Sequence, residues 1–237
     1  MTLLAKPQQV PPLISRAGPW PKFSTQAKAV DRLSHVRLRN ASVQLEILSV
    51  QPSPYPCYAT ICEFMIRPFR GVHPQIHPTA FVDRSAQVIG DVHLGEESSI
   101  WCNCTVRGDI HYIRLGNRTN VQDNSVIHVR NGTHPTILED EVTVGHSVTL
   151  HGCYVERGCL IGIGSILLDD VHIGSDSLVA AGALVSPGTI IPPRSLVMGF
   201  PAKVKRSLTD EEVAALEIYW KNYVEYTREY REEMSLG

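Results

Sequence analysis

Apolar residues recur at every sixth position along most of the chain, and this period constrains the fold more than any other feature of the sequence. Four series carry it and together span residues 76–197. Their members are Ile76, Val82, Val88, Leu94, Ile100 and Val106; Leu115, Val121 and Ile127; Leu138, Val144 and Leu150; and Val155, Ile161, Leu167, Ile173, Val179, Val185, Ile191 and Val197. Neither the helix period nor the strand period produces a strict six.

A six-residue unit that makes one short strand and one turn explains this period. Three units close a triangular coil of about 18 residues, in which the repeated apolar residue points into the prism and stacks on its equivalents in neighbouring coils. Glycine follows the repeated residue at several corners, where unusual backbone angles are favoured. The sequence therefore predicts an all-β solenoid over residues 65–206, with about six or seven coils and parallel strands.

The breaks between the series indicate insertions into the coils. Three extra residues lie between Val106 and Leu115, around the sequence HYI, and five lie between Ile127 and Leu138, in RNGTHP. Insertions in a solenoid usually form loops at one corner and often carry function, so we expect loops at both places.

The first 64 residues differ from the solenoid in composition. They contain eight of the 16 prolines, and seven lysines and arginines against three acidic residues. One interpretation is a transit peptide, which is typically basic and poor in acids. The other is upstream sequence translated from a misassigned start, with the true beginning at Met65. We favour the second, because a recognisable domain opens there, and we expect residues 1–64 to be poorly ordered.

Residues 207–237 are predicted to form a C-terminal helix packed on the solenoid. Thr209 and Glu212 fit a capping box at the start of this helix. A stripe at helical spacing then follows, which should lie along the prism. The stripe consists of Val213, Leu216, Trp220, Tyr223 and Thr227.

The composition argues against several classes of function. The 237 residues are 43% hydrophobic and carry a net charge of −2, so nothing favours nucleic acid or a membrane surface as a partner. No apolar run approaches the ~20 residues that would span a bilayer. The six cysteines are sparse and no secretory signal precedes them, which predicts mostly free thiols in a reducing compartment.

Three histidines stand where the period can bring them near one another. His128 and His151 each follow an inward residue three units apart, so they occupy equivalent outward positions on one face of consecutive coils. His146 lies on the adjacent face, where Asp123 is its counterpart one coil earlier. The pair alone would bind zinc weakly, because zinc sites use three or four protein ligands. If identical prisms pack around a threefold axis, His146 of one chain could complete the site of another.

Four segments together resemble the γ-class carbonic anhydrases. They are VRGD at 106–109, TNVQDNSVIH at 119–128, VTVGHSVTLHGC at 142–153 and MGFPAKVKR at 198–206. The resemblance covers about residues 65–230 and implies a left-handed parallel β-helix that assembles as a homotrimer with metal sites at subunit interfaces. By this resemblance His128, His146 and His151 are the Zn²⁺ ligands, one of them supplied by a neighbouring subunit. Fe²⁺ or Co²⁺ would also suit three nitrogen ligands.

The resemblance also implies roles for nearby polar residues. Arg107, Asp109 and Asp123 resemble an interface ion-pair set, in which one guanidinium can hold two carboxylates. Gln122 resembles the residue that hydrogen-bonds the water on the metal, and Asn120 resembles a residue that supports this network. Gln122 and Asn120 are therefore the expected catalytic residues beside the metal ligands.

The implied activity is the reversible hydration of CO₂ to bicarbonate. Three neutral imidazoles leave Zn²⁺ its charge and an open position, so that bound water ionises near neutral pH and the hydroxide attacks CO₂. Some family members carry acidic proton-transfer residues that this chain lacks, since Ile110 follows Asp109 and the loop after His128 contains no acid. His134 in that loop is a candidate proton shuttle, and we expect slow turnover.

Other functions stay open from the sequence alone. A hexapeptide acyltransferase would use His146 or His151 as a base toward an acyl-CoA thioester, usually without the three-histidine set. An acyl-CoA thioesterase on the same trimeric scaffold and an assembly protein with an idle metal site are further candidates. We expect a cytoplasmic protein, or a mitochondrial one if residues 1–64 are a genuine transit segment.

Overall fold

A computed structural model of the chain describes residues 65–235. Its first ten strands are β1 (Ile66–Arg67), β2 (Gln75–Ile76), β3 (Phe81–Val82), β4 (Gln87–Leu94), β5 (Ser99–Ile100), β6 (Thr105–Leu115), β7 (Asn120–Val121), β8 (Val126–His128), β9 (Thr136–Leu138) and β10 (Thr143–Val144). The following elements are β11 (Thr149–His151), β12 (Tyr154–Val155), β13 (Leu160–Ile161), β14 (Ile166–Leu167), β15 (His172–Ile173), β16 (Leu178–Val179), β17 (Leu184–Val185), β18 (Ile190–Ile191), β19 (Ser195–Gly199), β20 (Ala202–Ser207) and the helix α1 (Asp210–Ser235). The prediction that residues 1–64 are poorly ordered lies outside the described residues.

The strands stack into three faces of a prism, each named here after one inward residue. The Val144 face consists of β3, β5, β7, β10, β13, β16 and β19, and β20 pairs antiparallel with β19 at its end. The Leu150 face consists of β1, the first halves of β4 and β6, then β8, β11, β14 and β17. The Leu138 face consists of β2, the second halves of β4 and β6, then β9, β12, β15 and β18. The chain visits the faces in rotation, which confirms the predicted left-handed parallel β-helix, with about 7 turns.

The two predicted loops have different outcomes. The extra residues around HYI do not form a loop, because β6 runs without interruption from Thr105 to Leu115. Gly108 pairs with Gly90 and Ile113 pairs with Val92, so residues 109–112 stand opposite Asp91 alone and form a bulge in β6 where the strand turns a corner of the prism. Residues 129–135 do form the second predicted loop, between β8 and β9, and it contains a bridge between Arg130 and His134.

The repeated apolar residues form the core, as the period predicts. Every member of the four series is buried except Ile76 and Val82, which lie in the first coils at the N-terminal end of the prism. Within the Val144 face, Val144 lies opposite Val121 on one side and Ile161 on the other. Burying one aliphatic side chain of this size contributes about 1.5–3 kcal/mol, so the stacked core is the main source of stability.

The hydrogen bonds of the capping box predicted at the start of the C-terminal helix are present. The Thr209 backbone N–H donates to Glu212 Oε2 at 3.0 Å, and the Glu212 N–H donates to Thr209 Oγ1 at 3.2 Å. Hydrogen bonds from Arg206 and Thr209 lower the pKa of the Glu212 carboxyl to about 2. Of the predicted stripe, Leu216 and Thr227 are buried, and the other three members, Val213, Trp220 and Tyr223, are half-buried.

Helix α1 runs back along the prism from its last coil toward its first. Arg194 in the last coil pairs with Asp210 at the start of the helix. Trp101, in an early coil, packs edge-on against Tyr223 and Tyr230, with ring centroids 5.2 and 5.0 Å apart. In the described part of the chain, no helix has the combination of length and apolar composition that crossing a bilayer requires.

The prediction of free thiols is confirmed for the cysteines that the structure describes, which are Cys102, Cys104, Cys153 and Cys159. Burial raises the pKa of Cys153 and that of Cys159 to about 12, so these thiols are packing groups and not nucleophiles. Cys57 and Cys62 lie outside the described residues.

Adjacent isoleucines in β18 test the assignment of inward and outward positions. Ile191 is 3% exposed and Ile190 is 75% exposed. Ile191→Ala should lower the free energy of unfolding by about 2–5 kcal/mol, because it leaves a cavity in the core. Ile190→Ala should change it by at most about 0.5 kcal/mol. Denaturant unfolding at fixed protein concentration measures both values, and equal losses would contradict the assignment.

Candidate metal centre

His128 and His151 are neighbours on the Leu150 face. β8 and β11 pair in parallel with His151 directly opposite His128, which is the equivalence that the period predicts. The two rings are tilted, with centroids 5.2 Å apart. His128 Nδ1 lies 3.2 Å from His151 Nε2. The register of the coils thus brings one nitrogen of each ring to face the other.

The facing nitrogens have the geometry of two ligands of one metal ion. At zinc–nitrogen distances of about 2.0–2.1 Å, two tetrahedral ligands lie roughly 3.3 Å apart, close to the observed separation. Within residues 65–235, however, no group of three or more His, Cys, Asp or Glu side chains is placed to hold a metal. One chain therefore offers two of the three or four donors that a zinc site requires.

His146 lies on the Val144 face, apart from the other two histidines. It follows the inward residue Val144 by two positions, just beyond the end of β10. Its Nδ1 lies 2.8 Å from Asp123 Oδ2, and Asp123 is the residue one coil earlier in the stack. The ring is half-buried and borders a groove of about 580 Å³ between the Val144 face and helix α1. Other residues lining this groove are Gln122, Ile163, Tyr219 and Tyr223.

Gln122 and Asn120 form a buried polar network beside His146. The Asn120 side-chain amide donates to Thr143 Oγ1 at 3.0 Å, and the Gln122 amide donates to Asn120 Oδ1 at 3.2 Å. Asn120 is 1% exposed and Gln122 is 6% exposed. Because buried amides are held by their partners, this network fixes the orientation of Gln122 at the edge of the groove.

The predicted ion-pair set divides between two faces in the single chain. Arg107 pairs with Asp109, and Asp109 Oδ1 also lies 3.0 Å from His128 Nε2. Burial raises the pKa of the Asp109 carboxyl, but the hydrogen bonds with His128 and Arg107 outweigh it, so the pKa lies below its usual value. Asp123 contacts His146 on the Val144 face. The chain alone therefore joins Arg107 to Asp109 and leaves Asp123 with the third histidine.

His134 lies in the loop of residues 129–135, next to the Leu138 face. Its Nδ1 is 2.9 Å from Thr133 Oγ1, and its Nε2 is 3.8 Å from Asp170 Oδ1. It lines a cleft of about 270 Å³ together with Tyr154 and His172. The proton-shuttle role predicted for His134 stays a prediction.

Asp169 contacts the centre and was missed by the sequence analysis. Its Oδ1 lies 2.6 Å from His151 Nδ1, on the side of the ring away from His128. Leu167 pairs with Leu150, so Asp169 occupies the position one coil beyond Gly152. The available signal was the repeat itself, because Leu150 and Leu167 are 17 positions apart and Asp169, 17 positions after Gly152, therefore lies one coil further along the same corner, beside His151.

Comparisons with known proteins find relatives named as carbonic anhydrases and relatives named as hexapeptide transferases. The family model described as bacterial transferase hexapeptide (six repeats) matches residues 152–187. A carbonic anhydrase from Geobacillus kaustophilus (strain HTA426) is 48% identical over 167 residues, which are 70% of this chain and 91% of that protein. Gamma carbonic anhydrase 1, mitochondrial, from Arabidopsis thaliana is 46% identical over 155 residues, which are 63% of this chain but only 56% of that protein.

The transferase name occurs among the solved structures that resemble this chain. A hexapeptide transferase family protein from Anaplasma phagocytophilum superposes on this chain with a TM-score of 0.68 and is 38% identical. The match covers 70% of this chain and 98% of that one. Both groups of relatives share the repeat fold, so the name of the fold alone does not choose between the two activities.

The buried amide network gives a stability prediction. Asn120→Ala removes the acceptor of the Gln122 amide and the donor to Thr143, so we expect a loss of about 1–3 kcal/mol in the free energy of unfolding. Asn222→Ala is the control: Asn222 is an exposed residue of helix α1 that borders the groove, and its loss should cost little stability. Urea unfolding of both variants decides, and an Asn120→Ala protein as stable as the control would show that the network is dispensable for folding.

Proposed function

The chain belongs to the γ-class carbonic anhydrase family, and on this premise we propose that it is a zinc enzyme that reversibly hydrates CO₂ to bicarbonate. The observation that carries the proposal is the pairing of His128 with His151, whose facing nitrogens have the separation of two zinc ligands. The resemblance that identifies His146 as the third ligand agrees with its place on the adjacent face.

The proposed active form is a homotrimer with one zinc site at each interface. Packing the Leu150 face of one chain against the edge of the next chain's Val144 face, where His146 lies in the turn after β10, would bring His146 to the partner's His128–His151 pair. Exposed apolar side chains near the His128–His151 pair and near His146 support this packing. Val126, two residues before His128, is 42% exposed, and Ile163, one coil beyond His146, is 55% exposed. A threefold assembly that buries both would remove these patches from water.

In this proposal the residues of the chain bind the metal and orient the reactants. When bound, zinc supplies the Lewis acidity that activates water at neutral pH, a chemistry for which carbonic anhydrases are the standard example. Gln122 is held by Asn120 at the edge of the groove that His146 borders, so its amide can hydrogen-bond water or CO₂ in a fixed orientation. Asp109 contacts His128 and keeps that ring in place.

The proposed turnover is slow. Ile110 stands where a carboxylate would follow Asp109, and the loop of residues 129–135 carries no acid. Without such a group, release of the proton from the centre to solvent limits the rate. His134 is the proposed substitute, since it is the histidine of that loop and histidine is the side chain suited to proton transfer near neutral pH. Fe²⁺ or Co²⁺ would fit the same nitrogen donors, so the metal must be identified by analysis of the protein isolated from its own cells.

A second candidate function is acyl transfer from, or hydrolysis of, an acyl-CoA thioester on the same trimeric scaffold. The groove of about 580 Å³ beside His146 supports it, because this volume exceeds what CO₂ needs and falls within the range of about 300–1,000 Å³ typical of organic ligand sites. Parallel assays of CO₂ hydration and of acyl-CoA cleavage, on one metal-loaded preparation, separate the two functions. A metal-bearing trimer inactive in both assays would favour a role in assembly.

For the cellular compartment we propose the cytoplasm, with the mitochondrion as the alternative if residues 1–64 act as a transit segment. The alternative draws support from the Arabidopsis relatives, whose names describe them as mitochondrial. Localisation of a fluorescent fusion carrying residues 1–64, against one beginning at Met65, distinguishes the compartments.

The proposed third ligand gives the sharpest mutational test. His146→Ala should remove most of the bound zinc and the CO₂ hydration activity while leaving the β-helix folded, because the remaining two imidazoles bind zinc weakly. Zinc per chain is measured by elemental analysis, hydration by stopped-flow, and the fold by circular dichroism.

His172→Ala is the matched control. His172 is 41% exposed against 43% for His146, and it also pairs with one carboxylate, Glu156, at 2.7 Å. It lies on the Leu138 face, in β15, so its loss should leave zinc and activity unchanged. Full zinc content in His146→Ala, or equal loss in the two variants, would refute the proposed ligand set.

A further inference from the structure

A carboxylate that the proposed mechanism does not use lies behind His151. Asp169 Oδ1 is 2.6 Å from His151 Nδ1, while His151 Nε2 faces His128 Nδ1 at 3.2 Å. The two nitrogens of one imidazole therefore have separate partners on opposite sides of the ring. The second oxygen of the carboxylate lies 3.4 Å from Nη1 of Arg130, which holds it from the loop of residues 129–135.

The backbone around Gly152 makes room for this carboxylate. Gly152 has a φ of +58°, and a Cβ built there would lie 2.5 Å from Asp169 Oδ1 and 2.9 Å from His134 Cβ. The Asp170 N–H donates to the Gly152 carbonyl oxygen at 2.8 Å, which fixes the two coils relative to each other at this corner. Any side chain at position 152 would push the carboxylate away from His151, so the contact between Asp169 and His151 requires glycine at this position.

We infer that Asp169 is the positioning residue of His151: it accepts the Nδ1–H, and so fixes the tautomer whose Nε2 lone pair points at the metal position. This inference rests on the proposed function, since it concerns the same zinc site. Metal-binding histidines usually donate their second N–H to a carboxylate, which orients the ring and makes it a stronger donor. The hydrogen bond needs no change in protonation to act in this way, because the carboxylate only has to accept.

The test measures the affinity of the purified, metal-free full chain for Zn²⁺, by competition with a chromophoric chelator. Asp169→Ala should weaken zinc binding about 10–100-fold, the usual range for such supporting partners. Asp169→Asn keeps the shape of the side chain but loses its charge, and we expect an intermediate loss. In the Co²⁺-loaded proteins, the visible absorption bands should shift in both variants, because they report the ligand geometry.

Asp170→Asn is the matched control. Asp170 is the next residue in the chain, its side chain is 72% exposed, and its positive φ of 61° suits asparagine as well as aspartate. Its zinc affinity and Co²⁺ spectrum should match those of the wild type. Thermal unfolding of the metal-free proteins shows whether a variant has lost zinc affinity or has lost stability. If Asp169→Ala does not fold, Asp169→Asn supplies the comparison.

The possible outcomes separate this inference from the proposed function. If the wild type binds zinc and the Asp169 variants have the same zinc affinity and Co²⁺ spectrum as the wild type, the role of Asp169 is wrong. The proposed zinc enzyme is not affected by that result. A wild-type protein that binds no zinc would contradict both the role of Asp169 and the proposed function. The inference is supported if Asp169→Asn binds zinc more weakly than the wild type while the metal-free variant unfolds at the same temperature as the metal-free wild type.

Discussion

The in-register stacking of short parallel strands is the constraint on which the rest of this structure depends. Each coil places one aliphatic side chain per face into the prism, and the next coil must place its own directly above, because a slip of one residue would turn the apolar set toward solvent. Val121, Val144 and Ile161 follow one another in this way on one face. Hydrophobic burial therefore fixes the outward side chains as well, since they lie between the inward ones.

This constraint explains how much of the site the sequence predicts. The positions of His128 and His151 follow from counting units, because Ile127 and Leu150 must stack and the next residues must then face each other. The separate position of His146, beside Asp123, follows from the same count. The family resemblance adds the roles, which a period cannot supply.

The features that the sequence analysis missed depend on local backbone geometry. The extra residues of β6 form a bulge inside the strand, opposite Asp91 of β4, and the length of an insertion does not reveal whether it becomes a bulge or a loop. The contact of Asp169 with His151 depends on the space left by Gly152, which has a positive φ. A repeat predicts which positions are neighbours, but the rotamers and the corner geometry decide which neighbours bond.

Placing the ligands on two faces of the prism would couple metal binding to assembly in the proposed trimer, because a complete site exists only where two chains meet. The most direct measurement of this claim is the zinc content of mixed trimers formed by co-expressing His146→Ala and His128→Ala chains. Every mixed trimer would contain one interface with all three histidines, so equal random mixing should restore about a quarter of the wild-type zinc content. Mixed trimers that bind no more zinc than either variant alone would contradict a site shared between chains.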